Sequence, residues 1–311
     1  MDWKRFFDSI GMNGTWWQWR IYRWQEAWRA RNDPQAKPVQ SAAARYVFCR
    51  KCGAMMLAGE SACSRCGATA PSRASAWFQR TLGLVMPQWH PVSSLLLFAN
   101  VANLLTAMFV FGASQLLNPT GIMLVKMGAL DPTMFLAGDF WRIITYGYLH
   151  IGIMHIGFNL LALSQVGPVL EEQVGSPRLF SIYTLSLISG GALDVILRGN
   201  QSILVAGASG ALFGLIGFGM SFAHFYGGSA GRAQRDFFLR WAIYGFAFGY
   251  LIGADNICHL GGFIMGAALG FLIERERGQA DRFNAVWKAI AWLLALVTVG
   301  AFILMLLASS S

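Results

Sequence analysis

Apolar positions in this chain neither alternate nor recur once per helical turn; they run on in blocks of about twenty. Seven blocks stand out, near residues 93–113, 143–165, 179–197, 205–226, 237–254, 257–273 and 286–308. A helix rises about 1.5 Å per residue, so about twenty apolar residues match a hydrocarbon core of roughly 30 Å. The pattern predicts seven membrane-spanning helices, the fifth and sixth joined by a tight turn at Gly253–Asn256. Residues 1–31 are charged and aromatic with no apolar centre, unlike a cleavable signal peptide.

Composition agrees with the pattern. Hydrophobic residues make up 55% of the 311 positions and charged residues 13%, where soluble domains carry roughly 25% charge. The expectation is an all-α polytopic membrane protein. Charge then supplies an orientation. Residues 1–92 hold thirteen Lys/Arg against five Asp/Glu, which accounts for nearly all of the net +9. The positive-inside rule places that segment in the cytoplasm. With seven spans, the cytoplasmic loops carry Arg178, Arg232, Arg235, Arg240, Arg275, Arg277, Arg282 and Lys288, and the opposite loops only Lys126, Arg142 and Arg198. The fourth and sixth spans then both begin at the extracytoplasmic face.

A separate module precedes the spans. Cys49-Arg50-Lys51-Cys52-Gly53 and Cys63-Ser64-Arg65-Cys66-Gly67 form two C-x2-C pairs ten residues apart, each followed by glycine. In a reducing cytoplasm four such thiols favour a tetrahedral structural Zn²⁺ in a zinc-ribbon-like module, over a redox pair or an empty site. Before it, Trp17, Ile21, Trp24 and Trp28 fall on one helical stripe among arginines. Such a stripe suits an interfacial helix on the inner leaflet; stacking on RNA is the other reading, and beside seven spans no nucleic-acid partner is expected.

Side chains able to do chemistry concentrate in three spans. Ser209 lies in Gly207-Ala208-Ser209-Gly210-Ala211-Leu212-Phe213-Gly214, and His259 in His259-Leu260-Gly261-Gly262-Phe263-Ile264-Met265-Gly266. Gly207, Gly210 and Gly214 against Gly262 and Gly266 give small faces that let two helices approach closely. Serine and histidine at such a crossing suggest a nucleophile and its base, because a hydroxyl needs a base within hydrogen-bond reach to attack an amide. Close packing alone also explains the serine, and a buried hydrogen bond the histidine. In the second span His150, His155 and Asn159 are costly in lipid and must face protein or a watery cavity, as interhelical hydrogen bonds, a metal or proton path, or catalytic donors.

H-x4-H-x3-N in the second span, G-x-S-G-x3-G in the fourth and H-x2-G-x3-G in the sixth, in that order, together resemble the rhomboid intramembrane proteases. Trp141-Arg142 after a long outer loop from Ser114 to Asp139 resembles that family's first loop. The resemblance covers residues 90–275 and implies a six-helix rhomboid-like bundle there; outside it the chain's own pattern gives residues 286–308 as an added seventh span, residues 45–70 as the zinc-ribbon-like module and residues 1–32 as a Trp/Arg-rich amphipathic segment. It implies Ser209 as nucleophile, His259 as general base, and His155 and Asn159, helped by the Ser209 N–H, as the oxyanion site. His150 is implied to be structural, and Glu171 resembles a structural glutamate at the inner end of the second span. Phe213 stands where the family commonly has a tyrosine stacked on the base. Asp255, one turn before His259, reads as an N-cap or as an orienter of the imidazole.

The function so implied is a serine endopeptidase that cuts single-pass transmembrane proteins in the bilayer, with no cofactor for catalysis. Noncatalytic binding or chaperoning of membrane proteins is the alternative, and a proton- or metal-transporting bundle using His150, His155, His224 and His259 a third. A bacterial inner membrane is the expected location. By helical rise from residue 205 the Ser209 hydroxyl is placed roughly 7–10 Å below the outer rim. Phe158 and the fifth-span aromatics Phe237, Phe238, Trp241, Phe246 and Phe248 are candidate gate residues, lipid-facing bulk being the plainer reading of each.

Overall fold

The computed structural model describes residues 90–226, 228–251, 253–276 and 280–310, together with residues 3, 5, 7, 17, 18, 20–22, 24, 25, 46–48, 55–57, 61, 62 and 67. The chain divides into two units, Met1–Trp89 and His90–Ser311. In the first, β1 (Tyr46–Phe48) pairs antiparallel with β2 (Met55–Leu57), Tyr46 opposite Leu57. Cys49, Cys52, Cys63 and Cys66, and the zinc ribbon expected around them, lie outside the described residues. Of the expected stripe, Trp17, Ile21 and Trp24 are helical, with Trp24 exposed; Trp28 lies outside the described residues.

The second unit is helical, as its long apolar blocks require when every backbone polar group must be satisfied within the segment. Its helices are α1 (Pro91–Phe111), α2 (Gly121–Lys126), α3 (Pro132–Leu136), α4 (Arg142–Thr145), α5 (Gly152–Val174), α6 (Ser176–Arg198), α7 (Ser209–Tyr226), α8 (Gly228–Leu251), α9 (Asn256–Arg275) and α10 (Ala280–Ser310). Among the described residues, five helices are long and apolar enough to cross a membrane: Pro91–Phe111, Gly152–Val174, Ser176–Arg198, Asn256–Ile273 and Arg282–Ser309. The chain is a multi-pass membrane protein. The two other expected spans are also helices. One is shorter, with its apolar part at Ser209–Phe225, and α8 opens with Arg232, Arg235, Asp236 and Arg240.

Two expected span starts lie outside the long helices that follow them, while other helices extend past the expected blocks, α5 to Val174, α8 from Gly228 and α10 from Ala280. The block expected to span from residue 143 begins as α4 and a 3-10 turn, Tyr146–Tyr148, and the long helix starts only at Gly152. Tyr146 and Tyr148 are buried in protein instead of facing lipid, a distinction that hydropathy does not carry. Likewise residues 205–208 are not helical. Val205 exchanges backbone hydrogen bonds with Leu130, 2.8 and 2.9 Å long, and α7 begins at Ser209. The depth reckoned from helical rise therefore does not apply, and Gly207 belongs to a loop, not to a helix face.

At the centre, α7 packs most intimately on α9, and both lie against α6. The glycines explain the approach: a Cβ on Gly262 would collide with the Gly210 carbonyl, and one on Gly266 with that of Gly214. α1 docks on α5 through Glu171, whose carboxylate accepts from the Val92 and Ser93 N–H groups and the Ser93 hydroxyl at 2.7–2.9 Å, capping the start of α1. It also accepts from Ser176 Oγ at 2.6 Å. The loop between α1 and α5 is tied down by Arg142, which donates to the Val125 and Ala129 carbonyls and pairs with Asp139. Asp131 caps α3 and accepts from Ser202 Oγ at 2.6 Å, joining this loop to the one before α7. Burial works to raise the Asp131 pKa, but these hydrogen bonds outweigh it and hold the carboxyl below its ordinary value.

Candidate active site

Three helix beginnings meet at one end of the bundle. Ser209 is the first residue of α7 and His259 lies in the first turn of α9. Their side chains touch: His259 Nε2 is 2.9 Å from Ser209 Oγ. The ring is held on one face by aromatic side chains and at its far nitrogen by an amide. Phe213, one turn after Ser209, stacks on it with centroids 4.2 Å apart at 16°, and Phe246 of α8 stands edge-on at 6.2 Å. Nδ1 lies 2.9 Å from Oδ1 of Asn256. The pair is thus aligned with His259 buried, only 4% exposed, and Ser209 half-buried beside it.

Asp255 is the N-cap of α9. Its Oδ1 accepts from the Ile257 and Cys258 N–H groups at 3.0 and 3.2 Å, and its Oδ2 takes a 2.7 Å hydrogen bond from Arg198, which also pairs with Asp194. Asn256, not Asp255, is the imidazole's neighbour. The sequence holds a signal for it: Asn256 and His259 are three apart and share a helix face. A polar residue at a helix start reads first as a cap, so the signal is easily passed over.

His155 reaches the same space from α5. Its Nδ1 accepts from the Ile151 N–H at 3.2 Å, so a neutral ring carries its proton on Nε2. A Cβ built on Gly207 would stand 2.8 Å from that Nε2 and 3.7 Å from Ser209 Oγ. The hydroxyl and the imidazole N–H therefore border one small volume, kept open because residue 207 has no side chain. Gly207 also has φ 132°, a conformation that L side chains rarely adopt. Its N–H donates to the Tyr146 carbonyl. Asn159 is buried one turn below His155, and its Nδ2 donates to the His155 carbonyl at 2.9 Å. His150 is buried edge-on to His155, centroids 5.2 Å apart.

Gly210 and Gly262 meet backbone to backbone beneath the Ser–His pair. Cys258 points away from the pair toward Tyr146, whose hydroxyl lies 3.4 Å from its sulfur. Of the expected gate aromatics, Phe158 of α5 and Phe248 of α8 face each other, both well exposed, at 5.0 Å. Phe238 is fully buried and Phe237 and Trp241 pack against the core, because the polar first half of α8 turns its large apolar side chains inward. His224 contacts Phe225 on α7 and is not part of this cluster.

The Rhomboid domain matches residues 137–276, a stretch that runs from α4 to α9 and includes the site just described. RHOMBOID-like protein 4 of Arabidopsis thaliana is 31% identical over 220 residues, 61% of this chain and 52% of that protein. Rhomboid protease GluP of Bacillus subtilis is 36% identical over 160 residues, 47% of this chain and 29% of GluP. Rhomboid-type serine protease 2 of Emericella nidulans is 37% identical over 156 residues, 48% of this chain and 30% of that protein. The chain spans about half the length of the plant relatives it matches and less of the other two. Together, the domain match and the rhomboid-named relatives support the rhomboid family for this chain.

Proposed function

We propose that this protein is an intramembrane serine endopeptidase that cleaves transmembrane segments of membrane proteins, with Ser209 as nucleophile and His259 as its base. The observation that carries the reading is the 2.9 Å contact between Ser209 Oγ and His259 Nε2, at a helix crossing that glycines bring together. In the proposed reaction, Oγ attacks the scissile carbonyl carbon as its proton passes to Nε2. The tetrahedral oxyanion forms between the Nε2–H of His155, the Asn159 amide and the N–H groups that open α7, which helix geometry leaves without an intrahelical partner. His259 then gives its proton to the leaving amine, and water, deprotonated by the same ring, releases the acyl group from Ser209. Asn159 donates to its own helix in the resting structure, so its part requires the amide to turn.

A transmembrane helix offers no free backbone, so a substrate must unwind near the site. The seam between α5 and α8, closed by Phe158 and Phe248, is the proposed lateral entry. By charge distribution the site faces the extracytoplasmic side. The expected bacterial inner membrane is tested by localising the tagged protein; its relatives come from plants, a bacterium and a fungus. The four N-terminal cysteines are proposed to hold one structural Zn²⁺, apart from catalysis. A fluorophosphonate probe tests the central assignment: it should label the detergent-solubilised wild type on Ser209 and leave Ser209→Ala unlabelled. Labelling that persists in the variant would remove the assignment and return the noncatalytic reading to first place.

A further inference from the structure

Asn256 has a single amide between two partners on different helices. Its Nδ2 donates to the Phe246 carbonyl of α8 at 3.5 Å, and its Oδ1 lies 2.9 Å from His259 Nδ1. A carbonyl only accepts, so the amide must turn its NH₂ toward Phe246 and its oxygen toward the ring. That oxygen also only accepts, so the proton of a neutral imidazole belongs on Nδ1. Nε2, facing Ser209 Oγ, is left with the lone pair that a base needs. One side-chain amide thus passes an orientation from the backbone of α8 to the Ser209 hydroxyl.

Resting on the reading of His259 as base, we propose that Asn256 is a positioning residue that fixes His259 in the Nδ1–H tautomer and ties that tautomer to the closed position of α8. The contact with α8 is close as well as polar: a Cβ on Gly249 would stand 2.9 Å from Asn256 Oδ1 and 3.4 Å from His259 Cε1. Asp255 is engaged in capping α9 and in its pair with Arg198, so it does not compete for Nδ1. A neutral amide also orients the ring without adding a second charge to an apolar site. The same helix carries Phe248, which closes the seam against Phe158. An outward movement of α8 that parts these rings withdraws Phe246 and Gly249 from Asn256 and releases the amide. The base is therefore fully set only when α8 is closed around what has entered.

Nitrogen-15 spectroscopy of the full-length protein with labelled histidine reads the tautomer without reference to activity. His259, assigned by its loss in His259→Ala, should be protonated on Nδ1 in wild type and a mixture of tautomers in Asn256→Leu. Protonation on Nε2 in wild type, or an unchanged tautomer in Asn256→Leu, would overturn the proposal. In a cleavage assay Asn256→Leu should lower kcat by roughly 10²-fold with little change in KM, while Asn256→Asp, which keeps an acceptor, should recover most of it. Equal loss in both variants, each folded by thermal melting, also overturns the proposal. A wild type that cleaves nothing and takes up no probe would instead defeat the protease reading, and the tautomer would still be decided by the spectrum.

Discussion

At the residue scale the site depends on what is missing as much as on what is present. Gly207 leaves the space in which His155 Nε2 and Ser209 Oγ face one another, and its φ of 132° disfavours any side chain. Gly207→Ala should therefore push the His155 ring aside and lower kcat by at least the roughly 10²–10³-fold expected for losing one oxyanion donor. A turnover assay of the variant checks this, and wild-type turnover would show that the space is not the oxyanion site. His155→Ala should fall in the same range, with KM nearly unchanged. Phe213 stacks on His259 through its ring alone, so Phe213→Tyr should keep turnover within a few fold while Phe213→Ala loses it. The serine and both histidines were legible as residues, because reactive side chains are rare and costly in apolar spans; the stack on His259 was expected only from the family resemblance. Asn256 was legible only as a polar residue three before His259 on the same helix face; the Phe246 carbonyl that orients its amide comes from a neighbouring helix that no spacing along the chain reveals.

At the scale of elements the fold turns on α7 crossing α9. Gly262 meets Gly210 backbone to backbone, the Gly210 carbonyl carbon 2.8 Å from where a Cβ would sit. Gly262→Leu should separate Ser209 from His259 and abolish cleavage although both side chains remain. The check is probe labelling together with thermal melting in detergent: a folded, unlabelled variant is expected, and normal labelling would mean that the crossing does not set the pair. The apolar blocks announced these helices, but two of the expected starts, at residues 143 and 205, fall outside the long helices that follow them. In both places apolar side chains bury against protein, Tyr146 against Cys258 and Leu187, and Val205 in its bridge to Leu130. Hydropathy counts such residues as lipid-facing. Gly207 was misassigned for the same reason, its loop reading as a continuation of the helix that follows.

At the scale of the whole molecule the two units carry different expectations. If the spans pack independently of residues 1–80, deleting that segment should leave cleavage of a generic transmembrane substrate intact; a deletion variant that inserts and folds yet cleaves nothing would show that the N-terminal unit belongs to the catalytic machinery. The full-length protein should carry about one Zn²⁺ per chain by elemental analysis, and Cys52→Ser should lower that sharply. Zinc content equal in wild type and variant would remove the ribbon. The membrane class was legible from 55% hydrophobic and 13% charged residues, and the order of the motifs pointed to the family that the domain match at residues 137–276 supports. The packing of α8 over the site was not legible, because its charged first half and apolar second half fit no single pattern. The most direct measurement of the central claim is cleavage of a transmembrane substrate by the purified protein in liposomes, comparing wild type with Ser209→Ala, His259→Ala and the double variant. The account predicts cleavage by wild type alone, with the double variant no worse than either single one because the two side chains act as a unit; cleavage that survives Ser209→Ala would contradict it.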